Sequence, residues 1–305
     1  MADSFSDYLE LLSARSIVSG GLITGGDWAV SFPASPQIKF WGVQRGSCWL
    51  LMAGATAAVR VEEGDVFLLC APSSHTLASN LNTVPVPLDE ILARRTGSTA
   101  RHGEGDEFFM IGGKVELDAD HGRLLLDALP PLIHVPGSSA EAANLKWLLN
   151  ELLKERENAL PGSETASTQM AHLVFIYILR AYFAKSESVS ASWLRAVSDQ
   201  RLAPALRLMH GEPGRAWGLE ELAKASAMSR AGFAAYFRAV AGVAPIAYLT
   251  QWRMLLAMQM LRDTRKSLGE LADLLGYASE SSFSNAFKRV VGQAPRIFRD
   301  ALEQR

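Results

Sequence analysis

The sequence predicts an α+β chain: a strand-rich N-terminal domain folded as a barrel or jelly roll, a helix pair, and an all-helical C-terminal domain. Three observations carry this prediction. A helical pattern occurs twice between Trp217 and Arg299, short apolar runs alternate with turns from Ile17 to Leu117, and leucines recur at helical spacing from Leu145 to Leu153. A chain of 305 residues has room for two domains and enough apolar residues for two cores. The expected divisions are a barrel over 1–136, the helix pair over 137–186, a linker over 187–199 and the helical domain over 200–305.

In the first copy of the repeat, Leu222-Ala223 is followed by Phe233, Phe237, Gly242 and Pro245; in the second, Leu271-Ala272 is followed by Phe283, Phe287, Gly292 and Pro295. The offset is 49 for the leading pair and 50 thereafter, so one extra residue lies between Leu274 and Ser279. A solenoid needs at least about three copies, so a pair of like modules fits better. Leu219, Leu222 and Ala223 share one helical face, as do Leu268, Leu271 and Ala272. Ser229 and Ser279 stand where a side-chain oxygen can cap a second helix. The phenylalanine pairs, four apart, turn one face of that helix inward and leave the other to solvent. Each copy therefore reads as a helix-turn-helix, whose second helix enters a DNA major groove by its N-terminus. Pro245 to Arg262 opens with a proline suited to the first helical position and reads as one connecting helix.

Asp27–Phe32, Ile38–Gln44, Cys48–Met52, Ala57–Val61 and Val66–Cys70 are strand-length runs rich in aromatic or β-branched residues, bounded by Gly, Pro and Ser. Phe108–Leu117 reads as a further strand pair, and the regular spacing predicts an antiparallel barrel or jelly roll. Between Asn80 and Glu107 a polar stretch holds Arg94, Arg95, Arg101 and His102. It reads as a solvated loop, with an anion-attracting cover as the rival. Ser138–Asn158 and Ser163–Ala184 form the helix pair, broken at Pro161-Gly162. Ser186–Ser192 is a Ser-rich linker leading through Trp193–Asp199.

Residues 201–305 carry fifteen Lys/Arg against nine Asp/Glu, whereas residues 1–200 carry fifteen against twenty-three. The overall charge of −2 conceals a basic half suited to DNA phosphates and an acidic half. Met1–Leu12 lacks a secretory n-region and h-region, so a cytoplasmic chain is expected. The most apolar run, Met170–Ala184, is interrupted by His172 and Arg180 and falls short of the about 20 residues a bilayer requires. No G-x-S-x-G, Walker glycine loop, H-E-x-x-H or C-x-x-C occurs, so no catalytic residue is expected.

From Arg201 to Arg299 the sequence resembles the AraC/XylS family of transcription regulators. The run LADLLGYASESSFSNAFKRVVGQAPRIFR carries that family's G-Y, S-x-F, F-K and G-x-x-P-x-x-[FY]-R pattern. GSCWLLMAGATAAVRVEEGDVFLLCAPSSHTL resembles the cupin-type sensor domain that precedes such modules, above all in the Gly64-Asp65 turn and the Pro72-x-x-His75 segment. The resemblance implies a DNA-binding regulator acting as an activator, whose sensor domain responds to a small-molecule effector. It implies that the helix pair forms a homodimer interface, with RNA polymerase as a further partner. No membrane partner and no cofactor are expected.

Carried over from the family pattern, the outward face of the first reading helix is Ser229, Arg230, Ala231, Ala234, Ala235 and Arg238. That of the second is Glu280, Ser281, Ser284, Asn285 and Lys288, with Arg289 and Arg296 beside it. Asn is suited to adenine, the alanines to thymine methyls, and Arg or Lys to phosphates. Inside the barrel, the default pocket, the candidate effector contacts are Phe40, Trp41, Trp49, Phe67, His75 and His102. A metal is not expected: no H-x-H pair occurs, and Trp41 stands where many cupins place a ligand. Two alternatives stay open, a thiol-based redox regulator using Cys48 and Cys70 and a metal-dependent cupin enzyme.

Overall fold

The computed structural model describes residues 3–12, 14–95, 97–158, 160–184 and 191–303. Its strands are β1 (Arg15–Gly25), β2 (Ala29–Phe32), β3 (Ile38–Arg45), β4 (Ser47–Met52), β5 (Val59–Glu62), β6 (Val66–Leu69), β7 (His75–Ala78), β8 (Val86–Pro87), β9 (Thr99–Gly103), β10 (Phe108–Glu116) and β11 (Leu132–Val135). Its helices are α1 (Ser4–Leu11), α2 (Leu88–Leu92), α3 (Ala119–Ala128), α4 (Ala142–Asn158), α5 (Ser163–Ala184), α6 (Trp193–Ser198), α7 (Ala203–Gly211), α8 (Leu219–Ala225), α9 (Arg230–Ala241), α10 (Pro245–Asp263), α11 (Leu268–Leu274), α12 (Glu280–Val291) and α13 (Pro295–Glu303).

Two units form. One comprises Ala14–Leu117 with Leu129–Lys185; the other comprises Met1–Ser13, Asp118–Ala128 and Ser186–Arg305. The strand-rich unit has a six-stranded sheet ordered β11-β6-β3-β10-β1-β9 and a five-stranded sheet ordered β5-β4-β7-β2-β8. Trp41, Val43, Phe67 and Met110 of the first share one apolar core with Phe32, Cys48, Leu50 and Leu77 of the second. The expected jelly-roll layering is present, but the sheets do not close into a barrel. Each ends in a short strand laid parallel to its neighbour, β9 on β1 and β8 on β2, which leaves free edges.

Side chains alternate across β3 as the pleat requires. Trp41 and Val43 face the core between the sheets, whereas a Cβ on Gly42 would run into Leu149 of α4. The helix pair therefore covers the outer face of the six-stranded sheet. Its leucine stripe, Leu145, Leu148, Leu149 and Leu152, is buried there, as are Val174, Phe175, Ile178 and Leu179 of α5. The Gly64-Asp65 turn is tied to the end of β11: Asp65 accepts from the Gly137 backbone N–H at 2.7 Å and lies 2.7 Å from His134 Nε2.

Three sequence expectations change in this unit. Phe108–Leu117 is one long strand, β10, and not a pair, because Gly112 and Gly113 make room for the Trp41 and Phe40 rings. The polar stretch before Glu107 is not wholly loop: it contains α2 and β9, so His102 lies in a strand. Cys48 and Cys70 are not on neighbouring strands, since β4 belongs to the five-stranded sheet and Cys70 follows β6 of the six-stranded one.

In the helical unit, α8–α9 and α11–α12 are the two predicted modules, joined by α10. The helical unit also takes in residues from within the expected 1–136 barrel segment: α1 buries Tyr8 and Leu11 in the helical core. Asp7 fixes it there, with Oδ2 2.9 Å from Nδ1 of His210. The part of the expected 187–199 linker within the described residues is α6, whose Leu194 and Ala196 are buried and whose Trp193 stacks on Tyr8 at 4.1 Å. Residues 187–190 of that linker, and so most of Ser186–Ser192, lie outside the described residues. No single described helix is long and apolar enough to cross a membrane. The bent pair α9 and α10 has the composition for it, but its large apolar residues Phe233, Phe237, Tyr248 and Trp252 are core.

Candidate functional site

Each reading helix is anchored from below and capped at its tip. Phe233 and Phe237 of α9, and Phe283 and Phe287 of α12, are fully buried. The Ser229 hydroxyl accepts from the Gly232 backbone N–H at 3.1 Å. Ser279 accepts likewise from the Ser282 N–H at 3.1 Å, and Ser282 Oγ accepts from the Ser279 N–H at 3.2 Å, closing a capping box. Both helices end on a left-handed glycine, Gly242 and Gly292. With one face pinned, the remaining positions turn outward. Arg230, Ala231, Ala235, Arg238, Ser281, Asn285, Lys288, Arg289 and Arg296 are exposed, and Ala234 and Ser284 half-buried. Glu280 lies 3.4 Å from Arg296 of α13, so these two exposed groups face one another at the start of α12.

Between the sheets, the candidate effector residues divide. Trp41, Phe67 and His75 reach the interior: His75 stacks on Phe32 at 4.6 Å, and Trp41 meets the edge of the same ring at 5.8 Å. Phe40 points to the helix side of β3 and cannot line that interior. Trp49 alternates with the buried Cys48 and Leu50, faces away and carries the Arg60 guanidinium 5.1 Å above its ring. His102 pairs in register with Thr24 near Phe108, toward the opposite end of the sandwich from His75. These two histidines do not converge, and the described residues contain no cluster of three metal-ligating side chains. Burial keeps both thiols protonated, pushing Cys48 and Cys70 up to about 12, with Arg60 opposing this at Cys48. A buried protonated thiol is the inert form, and Cys48 lies in β4 of the five-stranded sheet whereas Cys70 follows β6 of the six-stranded one, so the redox alternative loses its geometry.

A cupin family model matches residues 3–184, and a helix-turn-helix domain model matches residues 222–301. A Streptomyces lividans protein named as an AraC-like transcription regulator is 38% identical over 297 residues, covering 97% of this chain and 98% of its own. The chain belongs to the AraC-like transcription regulators. It is a cupin-bearing, DNA-binding regulator, and the relatives' names are those of regulators and not of enzymes. The transcriptional regulator AlkR of Acinetobacter baylyi is 28% identical to this AraC-like regulator over 90% of the chain and 92% of its own. The RCS-specific transcriptional activator RclR of Escherichia coli is 28% identical over 99% of each chain. The solved DNA-binding domain of AdpA in complex with a target DNA is 28% identical, covers 35% of this chain and 96% of its own, and superposes with a TM-score of 0.33.

Two features of this AraC-like regulator were not singled out from sequence. Lys39 shares the inward face of β3 with Trp41, a position visible only once the register is known. Ala227, in the turn of the first module, has φ 52, where the second module has Gly276 at φ 74. The matching backbone bonds, Met228 N to Ala223 O and Tyr277 N to Ala272 O, equate Met228 with Tyr277, and the caps Ser229 and Ser279 then put the extra residue of the second copy just after Tyr277.

Proposed function

We propose that α9 and α12 read successive major-groove faces about 34 Å apart, held at that spacing by α10, and that an effector in the sandwich interior sets how the modules meet DNA. The observation that carries this reading is the pair of capped helices, each with a buried phenylalanine pair beneath an exposed N-terminal face. In α12, Asn285 has the donor and acceptor to engage adenine; in α9, Ala231, Ala234 and Ala235 suit thymine methyls and close approach. Arg230, Arg238, Lys288, Arg289 and Arg296 contact phosphates, which orient the protein without choosing sequence. An effector shifts the balance only by its differential affinity for the two arrangements. The chain acts as a homodimer through the exposed side of α4 and α5, contacts RNA polymerase at its promoters and works in the cytoplasm.

Titration of paired substitutions against operator and random DNA tests this reading. Asn285→Ala should weaken operator binding by roughly 1–3 kcal/mol and leave random DNA nearly unchanged, whereas Lys288→Ala should weaken both alike. Equal losses on the two DNAs for Asn285→Ala would remove the base-reading role.

A further inference from the structure

We propose that the Lys39 end of the sandwich interior binds a small apolar carboxylate, its head group held by Lys39, Trp41 and His75. This rests on the effector reading above and adds to it the chemical class of the ligand.

Strand alternation places the first group. In β3, Trp41 and Val43 face the core between the sheets, and Lys39, two residues before Trp41, shares that face. A lysine aimed between two sheets is costly unless something pairs with it. Burial lowers the Lys39 pKa, opposed by the nearby charge of Asp89, yet no hydrogen bond or ion pair ties its ammonium to any described residue. Lys114, opposite it in β10, is already paired with Glu116 at 2.7 Å. Among the described residues Lys39 is thus a cation of this end without a hydrogen bond or ion pair, Asp89 acting on it only through its nearby charge.

The second and third groups lie beside it. Trp41 is 8% exposed and His75 is 4% exposed, yet Trp41 Nε1 and both ring nitrogens of His75 have no hydrogen-bond partner among the described residues. The Ser73 backbone lies near the imidazole and favours its protonation, but outside hydrogen-bonding geometry. Native interiors pair nearly all such atoms, because one left bare forfeits its hydration without replacement. Phe32 touches both rings, and Lys39 is close enough to help burial lower His75 to about 4. The imidazole is therefore neutral, with one N–H to give.

This donor set selects its ligand. One ammonium, one indole N–H and one imidazole N–H face inward, while the only acceptor among them is the other imidazole nitrogen. A group rich in acceptors and carrying one negative charge satisfies all three donors. A neutral alcohol would leave Lys39 unpaired, and a phosphate dianion would meet a single free cation among hydrocarbon. Phe32 and Phe67 wall the place, with Met52 across from His75 in β4 and Leu88 packed at its margin, so the body of the ligand is apolar. A monocarboxylate on a short aliphatic or aromatic frame meets both demands.

The full-length chain can be titrated with benzoate and hexanoate, using benzamide and hexanamide as neutral isosteres, reading the thermal midpoint and operator affinity together. Lys39→Met removes the charge and keeps the stem; Trp41→Phe removes the N–H and keeps a ring. A ligand-free midpoint no lower than that of the wild type certifies that each variant folds. The carboxylates should raise the wild-type midpoint, the amides should not, and each substitution should weaken carboxylate binding by about tenfold or more, the scale of a charge-assisted hydrogen bond. No midpoint shift with either acid, amides binding as tightly as acids, or folded variants binding acids as wild type does would each overturn the carboxylate assignment while leaving the effector reading intact. Binding that depends on Lys39 and Trp41 without a change in operator affinity would uphold the site and remove the effector reading instead.

Discussion

Single residues decide how each module turns. Ala227 adopts φ 52 and Gly276 φ 74 at equivalent points of the two turns, and the left-handed region costs a residue with a Cβ about 1–2 kcal/mol. Ala227→Gly should therefore raise the urea midpoint of the helical unit, by up to about 1 kcal/mol after the added freedom of glycine in the unfolded chain is set against the relief. Gly276→Ala should do the opposite, costing about 1–3 kcal/mol, because its Cβ would collide with the Gly214 carbonyl. Equal effects at the two positions would contradict the equivalence of the turns. His75 offers a pH test in the other unit. Its folded pKa of about 4 lies below the unfolded value of 6.5, so the unfolded chain binds the proton more readily. The stability it contributes is complete above pH 6.5 and is lost as pH falls towards 4, by about 3 kcal/mol at most. His75→Phe should flatten that part of the thermal-midpoint profile relative to wild type; a profile unchanged by the substitution would remove the buried neutral imidazole. The sequence showed His75 at a strand end but not Lys39 facing inward, because alternation assigns faces only when one position is already known to be core.

At the scale of elements, helices were more legible than strands. The repeat located α8, α9, α11 and α12, since a 3.6-residue period, a serine cap and a terminal glycine agree within a few residues of one another. The sheets were harder. β1 runs from Arg15 to Gly25 but contains Gly20, Gly21 and Gly25, which split its apolar residues into the adjacent pairs Ile17-Val18 and Leu22-Ile23 and leave no clean alternation to mark a strand. Gly20 lies at a bulge, and Gly21 packs its bare Cα against Phe109 and Thr99. β9 is polar and pairs at an edge, where little side-chain burial is needed. α1 was hidden for another reason: its stability comes from Tyr8, Leu11 and Asp7 meeting residues some two hundred positions away. The helix pair was legible from its leucine stripe, and its other side carries the dimer expectation. Trp147 of α4 is 61% exposed and Leu173 of α5 is 42% exposed, although each is followed directly by two buried residues, Leu148-Leu149 and Val174-Phe175. Trp147→Glu should shift sedimentation of the free chain from dimer to monomer without lowering its thermal midpoint. A monomeric wild type, or a variant that stays dimeric, would place the interface elsewhere.

For the whole molecule, charge distribution matters more than net charge. Residues 201–305 are basic, but Met1–Ser13 and Asp118–Ala128 join the same unit and bring six acidic residues against one basic. The unit is thus far less basic than its sequence segment, so a long-range field is a poor explanation for DNA affinity. Local contacts must then supply the electrostatics. With Arg230, Arg238, Lys288, Arg289 and Arg296 as the proposed phosphate contacts, about five per chain, the predicted slope in log affinity against log salt is near −4.5. A fourfold rise in salt should then weaken binding about 500-fold for a single chain on its half-site. Lys288→Ala should make the slope shallower by about 1, whereas Asn285→Ala should lower affinity at every salt concentration and leave the slope in place. Arg296→Ala should fall between, because Arg296 already faces Glu280 at 3.4 Å and releases fewer counterions than a free cation. Fluorescence anisotropy over a salt series reads all three. A wild-type slope near −1, or one that Lys288→Ala does not alter, would show that the exposed faces of α9 and α12 are not where the phosphates lie.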